Sequence, residues 1–241
     1  MKKILITRKL IKSSEDYASK IFNVKFNKED KIITKDDLIK NSSDCDGVLS
    51  SLTEKIDAEV ISKLSNSIKI ISNFAVGFGN IDIIAAKKKN IIVTNTPDVL
   101  TDATAEIAML ILLGAARRAK EGIEWAKKKN WKWSADFLMG KQLTGARLGI
   151  LGMGRIGRAV ADRAKSFGMI IHYHNRSQLD KNLEKGAIYH NSLESLLSVS
   201  DFFSINCPAT KETKHIINKD SLKHFPDGAI LSNSARGDMI D

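Results

Sequence analysis

The fold class this sequence predicts is α/β, with two doubly wound parallel-sheet domains, the second incomplete. Three observations predict it. Short β-branched runs alternate with amphipathic stretches over the first hundred residues. A second block of the same build follows from residue 147. A glycine-rich hexapeptide joins strand to helix where that block begins. Repeated strand–helix alternation with short links produces parallel strands covered on both faces.

In the first block, residues 4–7, 24–26, 47–49, 68–71 and 91–94 read as strands. Between them lie helices at 14–21, opened by a serine cap, at 35–40, at 57–64, opened by an aspartate, and at 81–88. Pro97 then punctuates the chain and divides it into domains 1–97 and 98–241. The longest helical pattern, 103–128, follows, with Ile107, Leu110, Ile111 and Gly114 on its apolar face; its length suits a connection between domains. Residues 131–143 lack clear periodicity and carry Trp131 and Trp133. Strands are then expected at 147–151, 170–173, 187–190, 202–206 and 229–232, with helices at 156–167, 193–197 and 218–225. A six-stranded nucleotide sheet needs one strand more, hence the reading of the second domain as incomplete.

Composition excludes several classes. A chain of 241 residues that is 43% hydrophobic and 27% charged is neither disordered nor collagenous. Its net charge of +10 is spread over short lysine runs such as 87–89 and 127–129, the pattern of solvated helix ends. No helix-turn-helix pattern, zinc spacing or aromatic RNA-binding signature accompanies it, so no nucleic-acid partner is expected. The longest apolar stretch, 105–116, contains Glu106 and is too short for a bilayer, and the apolar run after the first lysines is too brief for a signal peptide. The expected setting is the cytoplasm, without a membrane. Cys45 and Cys207 make neither a disulfide scaffold nor a zinc cluster by themselves, and no metal is expected.

Gly152-Met153-Gly154-Arg155-Ile156-Gly157 is a G-x-G-x-x-G in the context the motif requires, after an apolar strand and opening a helix. Gly152 permits the tight turn, Gly154 lets the backbone approach a pyrophosphate, and Gly157 lets helix pack on strand. The helix start, with Arg155 and Ile156, presents amides and a positive dipole end to phosphate. The next strand runs into His174-Asn175-Arg176-Ser177, where an acid would accept from ribose hydroxyls. The first acid comes only at Asp180. Asn175, Arg176 and Ser177 suit a 2′-phosphate instead, so NADPH is expected over NADH.

Five ordered blocks resemble the D-isomer-specific 2-hydroxyacid dehydrogenases over nearly the whole chain. Residues 73–82 (NFAVGFGNID) are similar to that family's substrate loop, 96–106 to its hinge, and 148–157 to its cofactor turn. Asn206-Cys207-Pro208-Ala209-Thr210 and Asn233-Ser234-Ala235-Arg236-Gly237-Asp238 are similar to two further motifs. The resemblance implies a flavodoxin-like substrate domain and a Rossmann dinucleotide-binding domain. It is nearest to NADPH-using reductases of glyoxylate or hydroxypyruvate, which give the D-2-hydroxy acid. It makes Val76 and Gly77 the backbone anchor of the substrate carboxylate, and Arg236 the catalytic arginine that holds the substrate and polarises its carbonyl. Cys207 and Pro208 would line the adenine side, with Thr213 a further polar contact. Ser234 and Ala235 would lie near the nicotinamide, and Thr104 would approach from the hinge helix. Cys207 suits packing rather than nucleophilic attack, since no histidine partner is near in sequence.

A homodimer through the cofactor domain is also implied, with Trp131-Lys132-Trp133 similar to the segment that crosses its interface. The family places a glutamate and then a histidine after the arginine. The sequence ends at Asp241, five residues beyond Arg236, and His172, His174, His190, His215 and His224 lie in no catalytic motif. The expectation is a C-terminally truncated chain, its first domain lacking a returning helix, with little turnover alone. The same architecture serves dinucleotide-sensing corepressors and the formate, phosphite and phosphoglycerate dehydrogenases, which are the alternative readings.

Overall fold

The computed structural model describes residues 1–128 and 133–241, which form two compact units, Met1–Val99 and Leu100–Asp241. Trp131 and Lys132, of the segment singled out for a dimer interface, lie outside the described residues.

The first unit runs β1 (Lys3–Ile6), α1 (Lys12–Ile21), β2 (Asn23–Phe26), α2 (Lys35–Ser42), β3 (Gly47–Ser50), α3 (Ala58–Lys63), β4 (Ile70–Asn73), α4 (Ile83–Lys88) and β5 (Ile92–Thr94). Its strands are all parallel, in the order β2-β1-β3-β4-β5. That is the flavodoxin-like order, which reverses between β1 and β3. Aspartates open two helices: Asp57 accepts from the Val60 N–H and Asp82 from the Ala85 N–H. Thr34 does the same for α2. Val48, Val60, Ile61, Ile71 and Ala86 are buried in the core of this unit.

Two expectations in this unit need correction. No serine caps α1, which begins two residues before Ser14, after Ile11, with no side-chain cap. Glu15 instead reaches back to the Leu10 N–H at 2.9 Å. Strand β4 starts at Ile70 rather than 68, because Ile68 N–H closes a turn onto Ser65. Ile68 is buried all the same, so its apolarity marked the core and not the strand.

The second unit runs α5 (Thr101–Ala116), α6 (Ala119–Lys127), β6 (Arg147–Leu151), α7 (Arg155–Ser166), β7 (Ile170–His174), α8 (Lys181–Glu184), β8 (Ile188–Tyr189), α9 (Leu193–Val199), β9 (Phe202–Ile205), α10 (Lys219–Leu222) and β10 (Ile230–Asn233). A 3₁₀ turn, Gly237–Met239, follows. The strands are parallel in the order β10-β9-β6-β7-β8, the Rossmann arrangement, which reverses between β6 and β9. Leu148, Ile150, Val160, Ala164, Tyr173 and Phe202 fill the core between sheet and helices.

The single helix expected over 103–128 is two helices. Arg118 sits in the left-handed region at φ 51°, and the chain turns there. The reason is tertiary. The Lys141 N–H takes the Ala116 carbonyl at 2.9 Å, the bond that a continuing helix would need. The buried face of α5 is also not the one expected. Ala105, Ala108, Met109, Leu112 and Ala116 face the core, whereas Ile107, Leu110 and Ile111 are exposed. Beyond Asp102 and Glu106, apolar residues fall on nearly every side of the helix, so spacing alone had no single face to select. The short helix α8 was not expected at all.

Arg147, at the start of β6, holds Asp201 through two parallel guanidinium bonds of 2.9 and 3.0 Å. With the Arg147 N–H added, they draw the Asp201 carboxyl down from 3.8 to about 2. A depressed carboxylate contributes stability above its ordinary value and loses it as pH falls through the folded one. Urea melts of the wild type and Asp201→Asn should therefore differ by on the order of 1 kcal/mol above pH 4. The difference should shrink towards zero near pH 2. A constant difference at every pH would rule out the ion pair as its source.

Candidate active site

The reversal point of the second sheet is built around missing side chains. Gly152 follows β6 at φ +92°, and a Cβ there would lie 2.5 Å from the Cys207 backbone nitrogen. A Cβ on Gly157 would meet the Gly152 carbonyl oxygen at 2.2 Å. Gly154 differs, because nothing lies within 4 Å of where its Cβ would be. Two glycines thus close the turn, and the third leaves an open cradle. Helix α7 begins there with Arg155, Ile156 and Gly157, with no side chain capping it and no acid in its first turn. An open approach to an uncapped helix start fits the pyrophosphate of a dinucleotide.

The next corner is at the end of β7. The Asn175 Oδ1 accepts the Met153 N–H at 2.7 Å, so this side chain braces the glycine turn itself. Arg176 and Ser177 are exposed at the same corner. Glu212 lies near enough to sense the Arg176 charge. Its carboxyl is held below the ordinary value first by the Thr210 hydroxyl and, more weakly, by Arg176. After β9 comes Cys207, whose thiol burial pushes up to about 11, leaving it neutral and suited to packing. The Thr213 hydroxyl donates to the Pro208 carbonyl at 2.8 Å and accepts the Thr210 N–H at 2.7 Å. The structure therefore uses Thr213 to close its own loop.

Beyond β10, Asn233 shapes the turn that presents the arginine. Its Oδ1 accepts the Ala235 N–H at 2.9 Å, and its Nδ2 donates to the Arg236 carbonyl at 2.7 Å. The Ser234 hydroxyl donates to Asn206 at 3.4 Å. Arg236 is exposed, and one guanidinium nitrogen donates to the Ala235 carbonyl at 2.8 Å. Thr104 and Ala103 of α5 line a shallow groove with Ile107, Ile111, Asn233 and Ser234. Thr104 and Ser234, distant in sequence, are thus brought together.

In the first unit the loop after β4 holds Val76 and Gly77. The Asn95 side chain donates to the Val76 carbonyl at 2.8 Å, and Asn73 donates to the Gly77 carbonyl at 2.8 Å. Neither the Val76 nor the Gly77 N–H donates to another group among the described residues. Two amides with their carbonyls tied back make a cradle for an anion.

Comparison with known proteins sets this geometry among relatives. The sequence model of the D-isomer specific 2-hydroxyacid dehydrogenase NAD binding domain matches residues 109–241. A glycerate dehydrogenase of Hyphomicrobium methylovorum is 44% identical over 243 residues, covering all of this chain and 76% of its own length. The chain belongs to the D-isomer specific 2-hydroxyacid dehydrogenase family. A glyoxylate reductase of Thermococcus kodakarensis is 39% identical, across 99% of this chain and 73% of that protein. The solved structure of a glyoxylate reductase from Paecilomyes thermophila superposes with a TM-score of 0.88 at 34% identity, covering 100% of this chain and 75% of that one. This member of the family is an NAD-binding oxidoreductase, and its glycine turn lies inside the matched domain.

The sequence places Asn73 and Asn80 in the 73–82 block without giving them a role, and it does not point to Asn95 or Glu54; all four bond within the network around the Val76 and Gly77 loop. The available signal was two asparagines bracketing a glycine-bearing loop directly after an apolar strand. The brace from Asn175 to Met153 was also missed, because Asn175 was read only as a ligand to phosphate.

The glycine geometry separates folding from binding in this dehydrogenase. Gly154→Ala should melt within a degree or two of the wild type, yet bind NADPH and NADH at least about tenfold more weakly. Gly157→Ala should cost about 1–3 kcal/mol of stability. Thermal melts and cofactor fluorescence titrations check both. A Gly154→Ala protein with unchanged cofactor affinity would place the pyrophosphate elsewhere.

Proposed function

We propose that this chain reduces a small 2-oxo acid, glyoxylate or hydroxypyruvate, with NADPH to give the D-2-hydroxy acid. The observation that carries the reading is the corner beside the glycine turn. There Arg176 and Ser177 stand exposed, Asn175 stands where an acid would serve a free ribose, and the helix start next to them is open. Relatives named glyoxylate reductase and glycerate dehydrogenase support the substrate class.

In this reading the first unit, taken as residues 1–97, serves the substrate, and residues 98–241 serve the dinucleotide. When bound, NADPH supplies the hydride that reduces the keto carbon. Arg155, Ile156 and Gly157 hold its pyrophosphate with the amides of the helix start, and Arg176 and Ser177 hold its 2′-phosphate. Cys207 and Pro208 line the adenine side, while Thr104, Ser234 and Ala235 border the nicotinamide. The Val76 and Gly77 amides grip the carboxylate of the 2-oxo acid. The Arg236 guanidinium, planar and permanently charged, stabilises the oxygen that becomes an alkoxide as the carbonyl is reduced. The alkoxide then takes a proton from a general acid, a role assigned to none of His172, His174, His190, His215 or His224. The homodimer and the cytoplasmic setting belong to the same reading, through the family resemblance.

Arg176→Asp should reverse the cofactor preference. Loss of a charge-assisted contact is worth roughly 1.5–3 kcal/mol, so NADPH binding should weaken about ten- to a hundredfold while NADH binding holds or improves. Fluorescence titration with each cofactor measures it, and an unchanged ratio refutes the 2′-phosphate assignment. Arg236→Lys keeps the charge and loses the planar fork. Its kcat/KM for glyoxylate should fall by about 10²–10³ relative to the parent chain, whose own low turnover sets the reference, with NADPH affinity unchanged; a ratio near one would remove Arg236 from the chemistry.

A further inference from the structure

The first unit contains a buried carboxylate that the proposed chemistry does not use. Glu54 is only 2% exposed. Among the described residues no cation bonds to it: the nearby Arg8 is paired with Asp30 at 2.8 Å and donates to the Thr53 hydroxyl. A buried charge without a partner is expensive, and a sequence that retains one needs a compensating arrangement. Here the arrangement is four donors. The Thr7 hydroxyl and the Ser51 N–H reach Oε2 at 2.8 Å each, the Ser51 hydroxyl reaches it at 3.2 Å, and the Thr53 hydroxyl reaches Oε1 at 2.6 Å.

Those donors fix the turn at residues 51–54, and the turn in turn holds the loop after β4. The Asn80 side chain donates to the Ser51 and Glu54 carbonyls at 2.9 and 3.0 Å. Its oxygen accepts from Asn73 at 3.3 Å, and the same Asn73 nitrogen donates to the Gly77 carbonyl. Asn73 is itself pinned by the Ser50 hydroxyl at 3.0 Å. Thr7, Ser50, Glu54 and Asn73 are all fully or almost fully buried, and all lie at or just beyond the carboxyl ends of β1, β3 and β4. That edge of an open parallel sheet is where ligands bind.

We infer that Glu54 is a positioning residue for the carboxylate-binding loop, holding the Val76 and Gly77 amides in place through the 51–54 turn, Asn80 and Asn73. The inference rests on the reading that those amides take the substrate carboxylate. Glu54 is not a proton donor. Burial pushes its carboxyl up, but the bonds from Thr53, Ser51 and Thr7 outweigh burial and hold it below the ordinary value. Every short contact to it is a donor, so it is kept as an acceptor.

The test measures the loop directly, by ¹⁵N relaxation of the whole chain. Glu54→Ala leaves the Thr7 and Ser51 donors unpaired. Glu54→Gln keeps one oxygen where Oε2 accepts three of the four bonds. The expected backbone order parameters at Val76 and Gly77 are about 0.85 in the wild type and the Gln variant, and below about 0.6 in the Ala variant, with β1, β3 and β4 unchanged. Asn80→Ala, which cuts the chain at its far end, should loosen the same two amides. It keeps the test available if Glu54→Ala does not fold. Glyoxylate added to the same samples should shift the Val76 and Gly77 amides with about tenfold weaker affinity in Glu54→Ala, while NADPH affinity stays constant. The inference is overturned if the loop stays rigid in Glu54→Ala or Asn80→Ala. It is equally overturned if the strands loosen as much as the loop, or if Gln fails to restore order. Should glyoxylate leave the wild-type amides unmoved, the substrate reading fails, while the order parameters still decide the positioning role.

Discussion

The second unit is organised by the contact between Gly152 and Cys207. The backbone of Cys207 occupies the space that any side chain at residue 152 would need. Because the Cys207 backbone fills that space, the chain leaves β6 through a residue without a side chain, Gly152 turns with a positive φ, and helix α7 starts directly beyond the sheet edge. A further glycine extends the same principle down the strand. A Cβ on Gly149 would lie 2.0 Å from the Ser200 hydroxyl, which is committed to the Leu196 carbonyl. The uncapped helix start, the open cradle at Gly154 and the half-buried, neutral thiol of Cys207 all lie at this one sheet edge.

Under the proposed function, the two units present amides to an anion by different means. In the second, glycines remove side chains, and the dipole end of a helix supplies the field. In the first, no long helix opens at the loop, and the Asn73 and Asn95 side chains tie back the Gly77 and Val76 carbonyls. The first solution is cheap in desolvation but demands close packing. The second tolerates loose packing but requires every buried polar atom to find a partner. Strong stabilising contacts in the second unit are placed away from its site. The Arg147–Asp201 pair lies at the amino end of β6, the end opposite the glycine turn.

Much of the architecture was legible in the chain. Asp57 announced its helix start because a short acid before an apolar run has little else to bond. Asp82 caps α4 in the same way but fell inside the helix expected over 81–88. The hexapeptide announced its turn because three glycines at that spacing have few other uses between strand and helix. Elsewhere local signals were ambiguous. The helix expected to run through Arg118 has helical periodicity on both sides of it, and only the arrival of Lys141 at the Ala116 carbonyl ends it. Ile107, Leu110 and Ile111 have the spacing of a core face, yet the small side chains of Ala105 and Ala108 are what allow α5 to sit against its neighbours. Part of the candidate site was hidden for the same reason. Glu54 and Asn80 are 26 residues apart and look like ordinary loop polarity until the sheet brings their turns together.

By itself the sequence determined the alternation of elements, the parallel sheets and the glycine turn between strand and helix. Each of these depends on residues within a few positions of one another, where capping, periodicity and glycine freedom act. Tertiary structure alone decided which face of α5 is buried, where that helix stops, and what Asn175 and Glu54 bond to. Those outcomes depend on partners far along the chain, because a donor or a van der Waals surface has no preference until folding delivers its counterpart.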